Sequence, residues 1–292
     1  MTLLWQPSEE HLRNVPLTRF AQQVEAATGH CFEDYAALHA WSVEEAEEFW
    51  RTAWSFLDLQ GDPGETVIDD LHHMPGASWF PDGRVSFAGT ILREADDRPA
   101  IRARGEHQSQ WRTITRRELH EMVGAAAEAM RKAGVVEGDR VVGYLPNIPE
   151  TIVSMLAAST LGAIWSSCSP DFGVRGVLDR FERLEPKLLV CCDGYAYGGK
   201  RIDCRPRTAE ILEALAKTAA SAPQVVMVPF LDPDATAEVL PDAVRWDDFL
   251  QQGEEVLRAN STSSKDLNSA TFNRHYELTF ESCALADGLV AR

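Results

Sequence analysis

The chain has 292 residues, 45% of them hydrophobic, which is enough for one large domain or two ordinary ones with a sizeable core. Lys and Arg number 28 against 45 for Asp and Glu, and the formal net charge of −17 excludes a protein built around a nucleic-acid backbone. The imbalance is local: residues 1–100 hold 18 acidic and 6 basic side chains, whereas residues 101–200 hold 12 and 13. The middle of the chain is thus the part least hostile to an anionic ligand, and the acidic opening serves solubility.

The N-terminus, Met1 to Glu10, has neither the basic start nor the apolar run of a signal peptide. Residues up to about 75 read as a helical extension. Ser42-x-x-Glu45 has the form of a capping box before Phe49, Trp50, Trp54 and Leu57, whose spacing makes one apolar stripe. That stripe is expected to bury Trp50 and Trp54 against the main domain. Gly61-Asp62-Pro63-Gly64 ends the helix, and a loop-rich passage follows to Gly83.

From about residue 98 the pattern alternates strands and helices. Ala100–Arg104 and Trp111–Ile114 suit a hairpin, and Thr115-x-x-Glu118 is a capping box opening a helix that reaches Ala133-Gly134. Strands are expected near 140–145, 163–167, 187–192 and 224–228, with helices over 149–161, 173–184 and 207–219 between them. Four βα repeats with apolar, β-branched strands predict an α/β fold: a doubly wound, mostly parallel sheet with helices on both faces. Thr151–Pro170 is uncharged over 20 residues, but its seven hydroxyl side chains and its Pro170-Asp171 end suit a buried helix running into a strand. The expected setting is cytoplasmic, with no membrane partner.

Six cysteines (31, 168, 191, 192, 204 and 283) follow no metal-ligand spacing, and His72-His73 has no third ligand at helical spacing, so no metal site is expected. Cys191 and Cys192 should point to opposite faces of one strand. In a doubly wound sheet ligands collect at the carboxyl ends of the strands. The loops of interest are Pro146-Asn147-Ile148, Cys168 to Gly173, and Asp193 to Arg201. The last has glycines that admit a ligand's close approach, and Lys200 and Arg201 to hold phosphate charge, yet it matches neither G-x-G-x-x-G nor the P-loop. Asp171 reads most simply as a cap for the next helix. Arg175, Asp179, Arg180 and Arg183 read as a solvated, ion-paired face.

Taken together, several segments resemble the acetoacetate–CoA ligase (acetoacetyl-CoA synthetase) family of AMP-forming acyl-CoA synthetases. They are Trp5-Gln6-Pro7, Tyr35-x5-Trp41-Ser42-Val43-Glu44, Trp79-Phe80 leading to Ser86-Phe87-Ala88, and Gly138 to Asn147. The most specific is Trp165-Ser166-Ser167-Cys168-Ser169-Pro170-Asp171-Phe172-Gly173; Glu185-Pro186-Lys187-Leu188 and Tyr197-Gly198-Gly199-Lys200 complete the set. The resemblance runs from the start to about residue 250. It implies an adenylate-forming fold divided into a helical extension (1–97), the first part of the synthetase domain (98–272) and a divergent tail (273–292) expected to pack poorly.

The resemblance also implies ATP, CoA and Mg2+ as cofactors and acetoacetate as substrate, joined through an acyl-AMP intermediate. For CoA it implies contacts from Ser169, Pro170, Asp171, Tyr197 and Lys200, with Tyr197 standing where related acetyl-CoA synthetases place arginine. The Ser-Ser-Gly-Thr-Thr-Gly-x-Pro-Lys phosphate loop expected soon after residue 270 does not occur in the 292 residues, so no catalytic residue is assigned. One reading is therefore the N-terminal part of an acetoacetate–CoA ligase, inactive by itself. The alternative is a non-catalytic module retaining a weak CoA or nucleotide site. A nicotinamide-type Rossmann protein ranks last, for want of the glycine fingerprint.

Overall fold

The computed structural model describes residues 4–218, 222–240 and 242–260. The chain forms two compact units, divided between Val85 and Ser86. In the first, helices α1 (Glu9–Asn14), α2 (Pro16–Thr28), α3 (Tyr35–Glu44) and α4 (Ala46–Phe56) precede four two-residue strands, β1 (Gly61–Asp62), β2 (Ile68–Asp69), β3 (Ser78–Trp79) and β4 (Arg84–Val85). Phe20, Val24, Leu38, Trp41 and Ala53 form its core, with Phe49 and Phe56 set edge-on to Phe20.

The expected capping box at Ser42 is not formed. Ser42 lies inside α3, which Asp34 caps by accepting from Ala37 N at 2.9 Å, and its hydroxyl donates back to the His39 carbonyl. The stripe on α4 is likewise satisfied within its own unit. Phe49 and Phe56 supply its buried side, Trp54 packs on Phe80 at 4.9 Å, and Trp50 remains 41% exposed, contrary to the burial expected of it.

The second unit opens with α5 (Phe87–Leu92), capped by Ser86, whose oxygen accepts from Gly89 N at 3.0 Å. The predicted hairpin follows as antiparallel β5 (Pro99–Ala103) and β6 (Arg112–Thr115). Thr115 and Glu118 then close a complete capping box on α6 (Arg116–Lys132). Next come β7 (Arg140–Tyr144), α7 (Pro149–Thr160), β8 (Ile164–Cys168), α8 (Val174–Phe181) and β9 (Leu188–Cys192). A hairpin of β10 (Gly194–Tyr197) and β11 (Lys200–Asp203) leads into α9 (Arg205–Thr218), β12 (Gln224–Val228), β13 (Val244–Arg245) and α10 (Trp246–Asn260).

Five strands form one parallel sheet in the order β13-β12-β9-β7-β8. Alternation along each strand divides its side chains between two cores. Val141, Val190 and Val226 join α6, α7 and α10 on one face; Val142, Leu189 and Met227 join α8 and α9 on the other. Cys192 falls in the first core and Cys191 in the second, so the adjacent thiols do point to opposite faces. The 151–170 stretch is α7 and β8, and among the described residues no helix is long and apolar enough to cross a membrane.

From β7 the chain steps outward to β8 through α7, whereas from β9 it steps the other way to β12 through α9 on the opposite face. The switch point therefore lies between the carboxyl ends of β7 and β9, where such sheets open a crevice. The expected tail beyond His275 lies outside the described residues.

Candidate functional site

The carboxyl ends of β7, β8 and β9 carry the three loops singled out from the sequence, and side-chain hydrogen bonds tie two of them together. The Ser169–Phe172 corner follows β8. Asp171 does not cap α8: the cap position is Gly173, with no side-chain bond. Its carboxylate instead accepts from the Ser169 hydroxyl at 3.0 Å and from the Tyr195 hydroxyl at 2.5 Å. Tyr195 comes from β10, so one phenol links the β8 and β9 loops.

Two further side chains fix the corner from behind. The Tyr144 hydroxyl, fully buried at the end of β7, lies 3.0 Å from the Pro170 carbonyl and 2.9 Å from that of Phe172. Arg207, in the first turn of α9, donates to the Pro170 carbonyl at 2.6 Å and toward the Tyr144 oxygen at 3.3 Å. Phe172 is exposed, and the Arg180 guanidinium stands 4.7 Å over its ring. No ion pair among the described residues joins Arg175, Asp179, Arg180 and Arg183. That face is used to pack Arg180 on Phe172 rather than for the expected charge pairing.

Burial first, and then the Asp171 carboxylate, push the Tyr195 phenol above its ordinary value. Burial does the same for Tyr144, against the pull of Arg207. Both phenols are thus held neutral as donors. Burial also raises the Cys168 thiol, which makes it a poor nucleophile.

The Asp193–Arg201 loop proves to be a hairpin. Tyr197 pairs with Lys200, and Gly198 and Gly199, with φ of 58° and 74°, supply the left-handed pair that a tight two-residue turn demands. Tyr197, 68% exposed, and Lys200 stand together at its tip, and among the described residues no carboxylate pairs with the Lys200 ammonium. Glu106 accepts from Gly199 N at 3.4 Å, so one negative charge borders the turn. The Arg201 guanidinium donates to the Leu231 carbonyl at 2.8 Å, which ties the hairpin to the loop after β12. Ser169, Pro170 and Asp171 are therefore brought together with the base of the hairpin, while Tyr197 and Lys200 occupy its tip.

Tyr144 and Arg207 lie outside the loops of interest, and Tyr195 lies inside one with no role assigned to it by the sequence. The Tyr-Gly-Gly-Lys pattern was the available signal for a hairpin, and hence for a Tyr195 facing inward. Among the described residues no group of three or more His, Cys, Asp or Glu could hold a metal ion.

Residues 90–268 match the family of AMP-binding enzymes, and residues 35–88 match the acetyl-coenzyme A synthetase N-terminus family. An acetoacetyl-coenzyme A synthetase from Rhizobium meliloti is 39% identical over 85% of this chain. A malonamoyl-CoA synthetase from Penicillium aethiopicum is 32% identical over 73% of it. Among solved structures, an acetoacetyl-CoA synthetase from Streptomyces lividans superposes with a TM-score of 0.75 at 37% identity, over 86% of this chain. The chain spans 37% of the Rhizobium protein, 30% of the Penicillium protein and 38% of the Streptomyces chain.

Proposed function

Because this chain belongs to the family of AMP-binding enzymes, we propose that it supplies the N-terminal part of an acetoacetate–CoA ligase, which joins acetoacetate to CoA with conversion of ATP to AMP and diphosphate. The observation that carries the reading is the Ser169–Phe172 corner, fixed by Tyr144, Tyr195 and Arg207 beside a hairpin that presents Lys200. In this reading the corner lies against the nucleotide end of CoA. Lys200 offers one charge to its phosphates, and exposed Tyr197 offers a ring face in place of a second cation. Glu106 weakens the clamp from the other side of the turn.

ATP chemistry is a different matter. Bound magnesium would neutralise phosphate charge in this family, but the described residues contain no carboxylate cluster that fits it, and no step is derived through it. The glycine-threonine phosphate loop is likewise absent from the 292 residues. The chain by itself is therefore expected to bind CoA weakly without forming acetoacetyl-CoA. The same pair of observations favours the second reading, a non-catalytic CoA-binding module.

Calorimetric titration with CoA, on wild type and Lys200→Ala, tests the site. Saturable binding that weakens by about tenfold in the variant is expected for one lost charge-assisted contact. Equal affinity removes Lys200 from the site. Acetoacetate-dependent diphosphate release by the purified chain would overturn its inactivity.

A further inference from the structure

Two buried thiols take no part in the chemistry proposed above, and the fold brings them together. Cys192 ends β9 and Cys204 immediately precedes α9, with the β10–β11 hairpin between them in the chain. Both are fully buried in the same core on one face of the sheet, and the Cys192 thiol donates a hydrogen bond to the Cys204 sulfur. The backbone joins the two segments as well, since Cys204 N donates to the Asp193 carbonyl at 2.8 Å. Cys168 and Cys191 belong to the core on the opposite face.

The two sulfurs are not equivalent. The Cys204 carbonyl accepts the first bonds of α9, from Thr208 N at 2.9 Å and the Thr208 hydroxyl at 3.0 Å, so Cys204 stands at the positive end of that helix. Arg207 adds a full positive charge in the first turn. The bond from Cys192, and then Arg207, hold the Cys204 thiol below its ordinary value against the effect of burial. The same bond and burial push Cys192 up. Cys204 is thus suited to attack, and Cys192 to resolve what the attack leaves.

We propose that Cys192 and Cys204 are a redox modification site, closed by hydrogen peroxide into an intramolecular disulfide. The Cys204 thiolate attacks one peroxide oxygen. The S–O bond forms as the O–O bond breaks, leaving a sulfenic acid, and the departing hydroxide takes up the Cys204 proton as water. The Cys192 sulfur then attacks the Cys204 sulfur; the S–S bond forms, the S–O bond breaks, and the leaving hydroxide takes the Cys192 proton as a second water. Each sulfur gives up one electron, and the pair of electrons reduces the peroxide. The crosslink staples the base of the hairpin that carries Tyr195 at its foot and Lys200 at its tip. Among the described residues the strands of that hairpin pair only with each other, so its local opening admits the peroxide to the buried pair.

The test treats the reduced full chain with hydrogen peroxide, alkylates it after denaturation and maps the tryptic peptides. The expected result is a link between the peptides of Cys192 and Cys204, with loss of two alkylatable thiols and two hydrogens, reversed completely by dithiothreitol. Cys191→Ser should form the same link and Cys192→Ser should not. Fragmentation of the wild-type linkage separates Cys192 from Cys191 and decides the matter if a variant misfolds. Three outcomes would overturn the proposal: both thiols still free once the exposed Cys31 is fully oxidised, Cys204 carried to the sulfinic acid beside a free Cys192, or a link made through Cys191 instead.

Discussion

The Asp193 carboxylate is nearly fully buried, and the backbone N–H groups of Phe230, Leu231 and Asp232 donate to it at 2.8, 2.9 and 2.8 Å. One side chain just after β9 thereby fixes the loop after β12. Asp193→Ala strands those donors without an acceptor. At about 1–3 kcal/mol for an unsatisfied buried group, only partly relieved by water, the expected loss is about 3 kcal/mol in urea unfolding. The two inner phenols give a pH signature. Tyr144 and Tyr195 are held protonated in the fold, so the unfolded chain gives up these protons first. Their contribution is complete below the ordinary phenol value of about 10 and is lost as pH rises through the higher folded values. Unfolding free energy should therefore fall above pH 10, and less steeply in Tyr195→Phe. In the sequence these residues were inconspicuous because their partners are 24 to 39 positions away or on another loop. Only Asp171 was noticed, and with the wrong partner, because a local cap is what sequence proximity suggests.

Elements were read more securely than contacts. The strands at 140–144, 164–168, 188–192 and 224–228 match their expected positions within a residue or so, because a strand buried on both faces leaves an apolar run bounded by turns. The capping box at Thr115 formed and the one at Ser42 did not, although both carry the same pattern. At Thr115 a strand ends and the chain is free to turn, whereas at Ser42 α3 already continues from Asp34. The β10–β11 hairpin is hard to see in the sequence because its four-residue strands lack a clear alternation of apolar and polar residues. Thr115→Ala should cost about 1 kcal/mol, the usual value of such a cap. Gly253→Ala is the sharper case. In α10 the substitution improves helix propensity by about 1 kcal/mol, but the new Cβ would stand 1.8 Å from the Ala125 carbonyl oxygen of α6. Sterics win: overpacking of this kind costs about 3 kcal/mol, so chemical denaturation should show a net loss of about 2 kcal/mol.

Among the described residues, one apolar cluster lies in the first unit and two lie in the second. Phe20, Trp41 and Ala53 belong to the first unit, while the two clusters on either face of the parallel sheet run from Ala88 to Phe249. Cooperative unfolding requires a shared core, and each unit has its own. Calorimetry should therefore resolve two transitions rather than one. At about 0.7 kcal/mol per residue near 60 °C, the enthalpies should be about 60 kcal/mol for the first unit and about 120 kcal/mol for the described residues of the second. Indole reporters can assign them, with Trp41 inside the first core and Trp165 and Trp246 inside the sheet unit. Gly253→Ala should shift only the transition that Trp165 and Trp246 report, and Trp41 should keep its midpoint. A single transition shifted as a whole by Gly253→Ala would mean that the units unfold as one, and that the helical region contributes directly to the stability of the sheet bearing the candidate site.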